Sequence, residues 1–325
     1  MGRSCEGKVA LVTGASQGGT GTTLAVRLAA EGADVGITAR SEEGLKECAA
    51  RIEQVGGRAL VMPCDLGDPD GGRADLVART EEAFGPIDIL VNNAVAHDLK
   101  QVHEWTIPDL EWYTHVNLWA PWQMSAQVIP GMRERGGGHI LNLTSFSGEL
   151  PPGPPFPYKA MDGSNMYGAT KAALNRLTVA TAGENYDYGI ACNALTPQVA
   201  IFTPRSQNSA LIPDTSMFEP VECMAEAGLA LVTGDPKVLT GRIAFSVQLL
   251  LELERPMYDA TGTELIEGWQ PEDLPPIIRT MAEAQANRGW PKPFDFGGRV
   301  NTPTPESIKG AGANANPDFT RPVWS

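Results

Sequence analysis

The chain has 325 residues with a formal net charge of −14 at pH 7, and this charge disfavours nucleic acid and anionic membranes as partners, because both attract positive surfaces. Apolar residues make up 42% of the chain, enough for a large core, yet no stretch approaches the roughly 20 apolar residues of a membrane span. Five cysteines without CxxC spacing and four scattered histidines argue against a disulfide frame or a metal site, so we expect reduced thiols and a cytoplasmic location.

The first predicted elements surround a glycine-rich turn. A short apolar run at residues 8–13 predicts a buried strand, and residues 22–31 repeat apolar side chains with the period of a helix. Between them lies Gly14-Ala15-Ser16-Gln17-Gly18-Gly19-Thr20-Gly21. Glycines let the backbone approach a pyrophosphate, and a helix N-terminus offers free N–H groups. Strand, turn and helix together favour a dinucleotide-binding site over a plain loop.

The second predicted strand, at residues 33–41, ends without the acidic residue that commonly binds the ribose of NAD. Ala39 stands at that position and is followed by Arg40 and Ser41. A guanidinium and a hydroxyl suit a 2′-phosphate, so the pattern favours NADP as the cofactor. An ordinary exposed arginine after a strand is the alternative, and it leaves NAD open.

Strands and helices continue to alternate along the chain. Further strands are predicted at residues 59–66, 87–94, 139–145, 190–197 and 240–247, and helices at 42–55, 70–84, 109–133, 165–185 and 220–232. This alternation implies right-handed crossovers and an α/β fold, a Rossmann-type doubly wound parallel sheet of seven strands with helices on both faces. We predict this domain over residues 1–255. Residues 256–325 are predicted to be a C-terminal extension, with a helix-like segment at 272–287 and a Pro/Gly-rich tail.

Tyr167 and Lys171 lie four residues apart in the predicted helix 165–185, so their side chains share one face. A free phenol has a pKa near ~10 and exchanges protons poorly at neutral pH. A cation about 4 Å away, at an effective dielectric of about 20, stabilises the phenolate by roughly 4 kcal/mol, or about three pKa units. We therefore expect Lys171 to lower the pKa of Tyr167 toward the range useful for acid–base catalysis. A surface pair without function is the alternative.

The motifs of residues 6–250, in chain order, resemble those of the short-chain dehydrogenase/reductase family. Thr13, Gly14 and Gly18 match the start of its T-G-x-x-x-G-x-G turn, whereas Thr20 replaces the last glycine and Gly21 follows it. Further matches are Asp65-Leu66, Asn92-Asn93-Ala94, Asn117, Ser145-x-x-Gly148, Tyr167-x-x-x-Lys171 and Pro197.

This resemblance implies reversible hydride transfer between an alcohol and a ketone or aldehyde. The implied catalytic residues are Ser145, Tyr167, Lys171 and Asn117. The implied cofactor-binding residues are Gly14, Ser16, Gln17, Gly18, Thr20, Gly21, Arg40, Ser41, Asp65, Leu66, Asn93, Ala94, Tyr167, Lys171, Pro197, Val199 and Thr203. The family also implies a homo-oligomer, a tetramer or a dimer, and a substrate lid at residues 200–219.

One departure from the family concerns the catalytic tyrosine. Tyr158 lies at the usual distance after Ser145, but Asp162 rather than lysine stands four residues beyond it. We therefore predict that Tyr167 is the catalytic tyrosine and that residues 149–164 are an insertion. Its many prolines predict a stiff loop, which forms either a wall of the substrate pocket or a plain surface loop.

Two other functions stay open from the sequence. The chain could be a catalytically silent nucleotide-binding sensor or scaffold, although such a protein needs no activated phenol. It could also be an epimerase or dehydratase of the extended relatives, which net consumption of NADPH would exclude. Phe146, Leu150 and Met166 near the predicted site favour a bulky apolar alcohol or carbonyl substrate.

Overall fold

A sheet of seven parallel strands lies at the centre of the computed structural model, which describes residues 3–149, 163–203 and 218–266. Its strands are β1 (Val9–Thr13), β2 (Asp34–Ala39), β3 (Ala59–Pro63), β4 (Ile89–Asn92), β5 (Gly138–Leu143), β6 (Ile190–Thr196) and β9 (Ile243–Phe245). The short strands β7 (Ile201–Phe202) and β8 (Glu219–Pro220) form a separate parallel pair. The spatial order of the large sheet is β3-β2-β1-β4-β5-β6-β9. The predicted doubly wound fold is therefore confirmed.

Eight α-helices connect the strands in the described part of the chain. They are α1 (Thr20–Ala30), α2 (Glu42–Gln54), α3 (Leu76–Phe84), α4 (Ile107–Thr114), α5 (Ala120–Arg135), α6 (Asn165–Asn185), α7 (Val221–Thr233) and α8 (Ser246–Glu252). A π-helical stretch, His115–Trp119, joins α4 to α5. None of the described helices is long and apolar enough to cross a membrane.

Each face of the sheet has its own apolar core, and β1 contributes to both. Ala10 and Val12 belong to one core, with side chains from α1, α2 and α7. Val9 and Leu11 belong to the other, with side chains from α3 and α5. Because side chains alternate along a strand, the continuous apolar run of β1 fills both faces.

Two predicted segments differ in their details. Helix α4 begins two residues before the predicted start of 109, because Thr106 and Asp109 form a capping box. The helix predicted over 70–84 begins only at Leu76, after Gly72 adopts a left-handed φ of 86°.

Several predictions lie outside the described residues. They concern most of the proline-rich insertion with Leu150 and Tyr158, most of the segment 200–219, and the chain from 267 to 325. Residues 256–266 are described: Met257 packs into the core, and Tyr258 forms an antiparallel bridge with Leu265. The predicted domain boundary stays a prediction.

Candidate active site

A cleft of about 660 Å³ opens at the carboxyl edge of the sheet, where the strand order reverses between β1 and β4. Its lining residues are Gly14, Ser16, Gln17, Gly19, Thr20, Gly21, Ala39, Arg40, Ser41, Cys64, Asp65, Leu66, Asn93, Ala94, Val95, Trp112, Val116 and Thr203. The volume falls within the range of about 300–1,000 Å³ that small-molecule sites occupy. The cleft therefore has the place and the size of a cofactor site.

The glycine-rich turn of this cleft is shaped by close backbone contacts. Gly14 and Gly18 have φ angles of 72° and 65°, in the left-handed region that favours glycine. A Cβ atom on Gly14 would lie 2.7 Å from the Cα of Ala94, and one on Gly21 would overlap the side-chain amide of Asn93. Gly21 thus lets α1 pack directly on the end of β4, which is the packing role of the last glycine in a dinucleotide-binding turn.

Hydrogen bonds between Thr13 and Asn93 join the ends of β1 and β4 beside the cleft. The Thr13 hydroxyl oxygen accepts the backbone N–H groups of Asn93 and Ala94, each at 3.0 Å. In return, Asn93 Nδ2 donates to the carbonyl oxygens of Thr13 at 2.8 Å and Gly14 at 3.1 Å. These two segments therefore fix each other at the point where the strand order reverses.

Arg40 supplies a cation where β2 ends at the cleft. Its guanidinium carbon lies 5.6 Å from the centre of the Trp112 ring, a cation–π contact. Ser41 Oγ accepts the N–H of Gly44 at 3.1 Å and so caps α2. The Ser41 hydroxyl thus already has a structural partner, and Arg40 is the residue here best suited to an added phosphate.

Ser145, Tyr167 and Lys171 come together beside the end of β5. Ser145 follows that strand, and its side chain lies close enough to Tyr167 on α6 to lower the pKa of the phenol. Lys171 lies one turn further along α6 and is only 3% exposed. Its Nζ donates to the carbonyl oxygen of Leu143 at 2.7 Å and lies 5.7 Å from the centre of the Tyr167 ring.

The charges at this cluster correct one expectation. Burial raises the pKa of Tyr167, and the neighbouring Ser145 side chain offsets only part of this rise. Burial also lowers the pKa of Lys171 to about 8. The prediction that Lys171 lowers the pKa of Tyr167 is therefore wrong for the chain alone. The lysine is directed to Leu143, and burial disfavours the charged forms of both groups.

Asn117 lies in the π-helical stretch and is buried. Its Oδ1 accepts the N–H of Ala96 at 2.8 Å, and its Nδ2 donates to the Ala96 carbonyl at 3.0 Å and to Thr170 Oγ1 at 3.3 Å. The amide therefore ties the segment after β4 to α6, one residue before Lys171. A π-helical turn often marks a functional site.

Comparisons with known proteins agree with this geometry. The family model described as short chain dehydrogenase matches residues 8–210.

The chain belongs to the short-chain dehydrogenase/reductase family.

Its relatives include an uncharacterized oxidoreductase of Thermotoga maritima, 36% identical over 192 residues, which are 59% of this chain and 71% of that protein. The L-rhamnose 1-dehydrogenase (NAD(P)(+)) of a Sphingomonas species is 32% identical over 242 residues, 74% of this chain and 89% of that protein. Among solved structures, a blue fluorescent protein from a metagenomic library in complex with NADPH has a TM-score of 0.64 and 29% identity, covering 73% of this chain and 95% of that one.

As a family member, the chain is an NAD(P)-dependent dehydrogenase or reductase. The cleft fits such a cofactor on its own features. Gly14 and Gly21 leave no room for side chains between the turn and β4, and α1 presents its N-terminus at Thr20 to the cleft. Helix N-termini bind phosphate through free N–H groups.

The predicted cofactor residues are not all in the wall of this cleft. Gly18, Pro197, Val199, Tyr167 and Lys171 lie outside it, as do the predicted catalytic residues Ser145 and Asn117. Thr203 does line it, and its Cγ2 lies 3.6 Å from the position of a Cβ atom on Gly19. The chain after β6 therefore reaches across to the glycine-rich turn.

An aromatic cluster around Tyr167 was not predicted from the sequence. The ring of His97 meets that of Tyr167 edge-on, with centroids 4.6 Å apart, and Tyr113 is fully buried against Trp105. Val116 belongs to this cluster and also lines the cleft, so it connects the cleft to the phenol. The signal in the sequence is the i,i+3 spacing of Tyr113 and Val116, which is equally typical of an ordinary core face.

Lys171→Met is expected to change how stability depends on pH. Because folding lowers the lysine pKa from 10.5 to about 8, the unfolded chain binds more protons between these values, and stability rises with pH in that window. The wild type should therefore gain about 2 kcal/mol relative to the variant between pH 8 and 10. Urea unfolding at both pH values measures this gain. Parallel pH curves for the two proteins would show that the buried amine does not titrate as described.

Proposed function

We propose that the chain interconverts an alcohol and a ketone or aldehyde by hydride transfer, with NADP as the cofactor. The observation that carries this proposal is that the side chains of Ser145 and Tyr167 come together beside Lys171, which is buried on the same helix as Tyr167. A protein that only binds a nucleotide has no use for a phenol held in this way. None of the described contacts favours the sensor or scaffold alternative.

Each residue of the cluster has a distinct part in this chemistry. The cofactor, when bound, supplies or accepts the hydride. Tyr167 exchanges the proton with the substrate oxygen, and Ser145 orients that oxygen by a hydrogen bond that strengthens as charge develops on it. Lys171 would hold the nicotinamide ribose. Asn117 holds the segment after β4 against α6. It thereby fixes the position of Tyr167 and Lys171 relative to the cleft.

The raised pKa of Tyr167 favours the direction of carbonyl reduction. A phenol whose pKa is raised by burial stays protonated at neutral pH. The oxygen that receives a hydride becomes strongly basic and takes this proton readily. The chain's own groups are thus set for donating a proton to a nascent alkoxide, and the reverse reaction needs a higher pH.

NADP rather than NAD is proposed on the position of Arg40. Its guanidinium lines the cleft where β2 ends, held over the Trp112 ring. The name of the Sphingomonas relative includes both cofactors, so local residues rather than the fold decide the preference. A guanidinium matches the geometry of a phosphate.

Arg40→Ala is expected to raise the Kd for NADPH about tenfold, the loss of one charge-assisted contact, and to leave the Kd for NADH nearly unchanged. Isothermal titration with both nucleotides measures this. Arg51→Ala is the matched control, because Arg51 lies on α2, the helix that follows Arg40, and does not line the cleft. Equal losses for NADPH and NADH in the Arg40 variant would contradict the NADP assignment.

The proposed reaction is tested with a panel of ketones, aldehydes and alcohols. Oxidation of NADPH should depend on a carbonyl substrate, with one alcohol formed per NADPH consumed. We propose a bulky apolar substrate, because Val95 lines the cleft, Phe146 directly follows Ser145, and both are exposed apolar side chains. Larger apolar carbonyls should then be turned over faster than small polar ones.

We also propose a homo-oligomer, a dimer or tetramer, in the cytoplasm. Trp119 and Trp122 lie edge-on to each other, and both are about half exposed, which suits an interface between copies. All five cysteines are buried and unpaired, which fits a reducing compartment. Sedimentation velocity measures the assembly state.

A further inference from the structure

Glu219 has a fully buried carboxyl group that neither the sequence motifs nor the proposed chemistry uses. It lies in β8 and is 0% exposed. Its Oε2 accepts the backbone N–H of Gln198 at 2.9 Å and that of Val199 at 3.4 Å, and its Oε1 accepts the hydroxyl of Ser246 at 2.7 Å. The ion pairs among the described residues do not include it.

The partners of Glu219 come from two other segments of the fold. Gln198 and Val199 follow the end of β6, and Ser246 is the first residue of α8 after β9. The Gln198 N–H is also within 3.0 Å of Ser246 Oγ, so the three groups form a closed triangle of hydrogen bonds. In addition, the backbone N–H of Glu219 donates to the carbonyl oxygen of Ala200 at 2.9 Å. The backbone of residues 198–200 is therefore held from one side by Glu219.

The segment held in this way leads directly to the cofactor cleft. It connects the end of β6 to Thr203, which lines the cleft opposite the glycine-rich turn. On the proposed function, the nicotinamide half of the cofactor lies against this segment, near Pro197 and Val199. A shift of the segment would move one wall of the nicotinamide site and leave the adenine end unchanged.

We propose that Glu219, together with Ser246, is a positioning residue that fixes the wall of the nicotinamide site by binding the backbone of Gln198 and Val199. The proposal rests on the proposed function, because it requires the nicotinamide to lie at this segment. A carboxyl group is costly to bury, whether charged or neutral, and an apolar side chain at this position would avoid that cost. Burial raises the pKa of Glu219 to about 8, because no cation in the described part of the chain offsets the cost of charging the buried carboxyl group.

The experiment compares the Kd of NADPH with that of adenosine 2′,5′-bisphosphate, which has the adenine end but no nicotinamide. Glu219→Ala should raise the Kd of NADPH about tenfold, as expected for lost hydrogen bonds to a buried carboxyl group, and leave the Kd of the fragment unchanged. Glu219→Gln keeps an acceptor oxygen for the Gln198 N–H and should restore most of the NADPH affinity. The Kd values of NADH and ADP-ribose are measured in the same way, so the test also works if the protein prefers NAD to NADP.

Two further variants keep the proposal falsifiable. Ser246→Ala removes one side of the triangle and should weaken NADPH binding less than Glu219→Ala does. The Kd of the fragment should again be unchanged. This variant replaces Glu219→Ala in the test if the Glu219→Ala protein does not fold. Glu226→Gln is the matched control, because Glu226 is equally buried but binds Arg27 and Arg255. An unchanged ratio of the two Kd values in both triangle variants would overturn the proposal. A wild type that binds neither NADPH nor NADH would instead overturn the proposed function.

Discussion

Replacing Tyr167 with phenylalanine is expected to lower kcat by about 10²–10⁴-fold, the contribution of one positioned general acid or base. The phenyl ring keeps its edge contact with His97 and its packing against the cluster around Tyr113. Only the hydroxyl that meets Ser145 is lost. NADPH binding should therefore persist, which separates a chemical defect from a failure to bind. Steady-state rates with a substrate found in the carbonyl panel, and a titration with NADPH, measure the two effects.

The matched control for this variant is Tyr188→Phe. Tyr188 lies just after α6, is about half exposed, and packs under the guanidinium of Arg133. Removing its hydroxyl should leave kcat unchanged. If Tyr167→Phe retained the wild-type kcat, the assignment of the phenol would be wrong, and Tyr158 in the insertion would be the next residue to replace.

Ser145→Ala is expected to lower kcat by about 10²–10³-fold, as for a donor lost from a developing oxyanion. The variant removes the hydroxyl next to Tyr167, while the strand end and α6 keep their packing. Ser145→Thr retains a hydroxyl and should recover part of the rate. The comparison of kcat with KM for the same carbonyl substrate is the measurement, with the loss falling mainly on kcat.

Ser147→Ala is the control for position. Its backbone N–H donates to Ser145 Oγ at 3.2 Å, and the substitution leaves that N–H in place. Its rate should match the wild type. Equal losses in the two alanine variants would indicate that the loop after β5 matters only for folding.

The fold could be predicted because the strands are short apolar runs between clear helical patterns. The glycine-rich turn could also be located, although its last glycine is displaced. Only the structure explains that displacement, because the glycine at 21 is needed where α1 packs on Asn93. A glycine in the sequence shows that the backbone has no side chain at that position. The neighbouring residue that leaves no room for a side chain lies at the end of another strand and is seen only in the structure.

The electrostatics of the cluster could not be predicted from spacing. Four residues of separation place Tyr167 and Lys171 on one face of α6. The direction of the lysine depends on the carbonyl of Leu143, which belongs to another element. Burial then shifts both pKa values in the directions opposite to the expected activation. Local spacing therefore identifies the pair but not its protonation states.

The role of Glu219 also could not be predicted from the sequence, because its hydrogen-bond partners are far from it along the chain. A Glu-Pro pair before a helix resembles an ordinary exposed helix start. Its partners are 21 and 27 residues away in the sequence, on elements that only the folded sheet brings together. Asn117 was recognisable from the family resemblance, whereas its link between Ala96 and Thr170 was not.

Transfer of deuterium from NADPH labelled at C4 of the nicotinamide tests the central claim most directly. The purified protein is incubated with labelled NADPH and a panel of apolar ketones and aldehydes, and the alcohols are analysed by mass spectrometry. We expect one deuterium on the carbinol carbon of the product, and a loss of this transfer in Tyr167→Phe. Tight NADPH binding without label in any product, from either face of the nicotinamide, would contradict hydride transfer and leave a nucleotide-binding protein in its place.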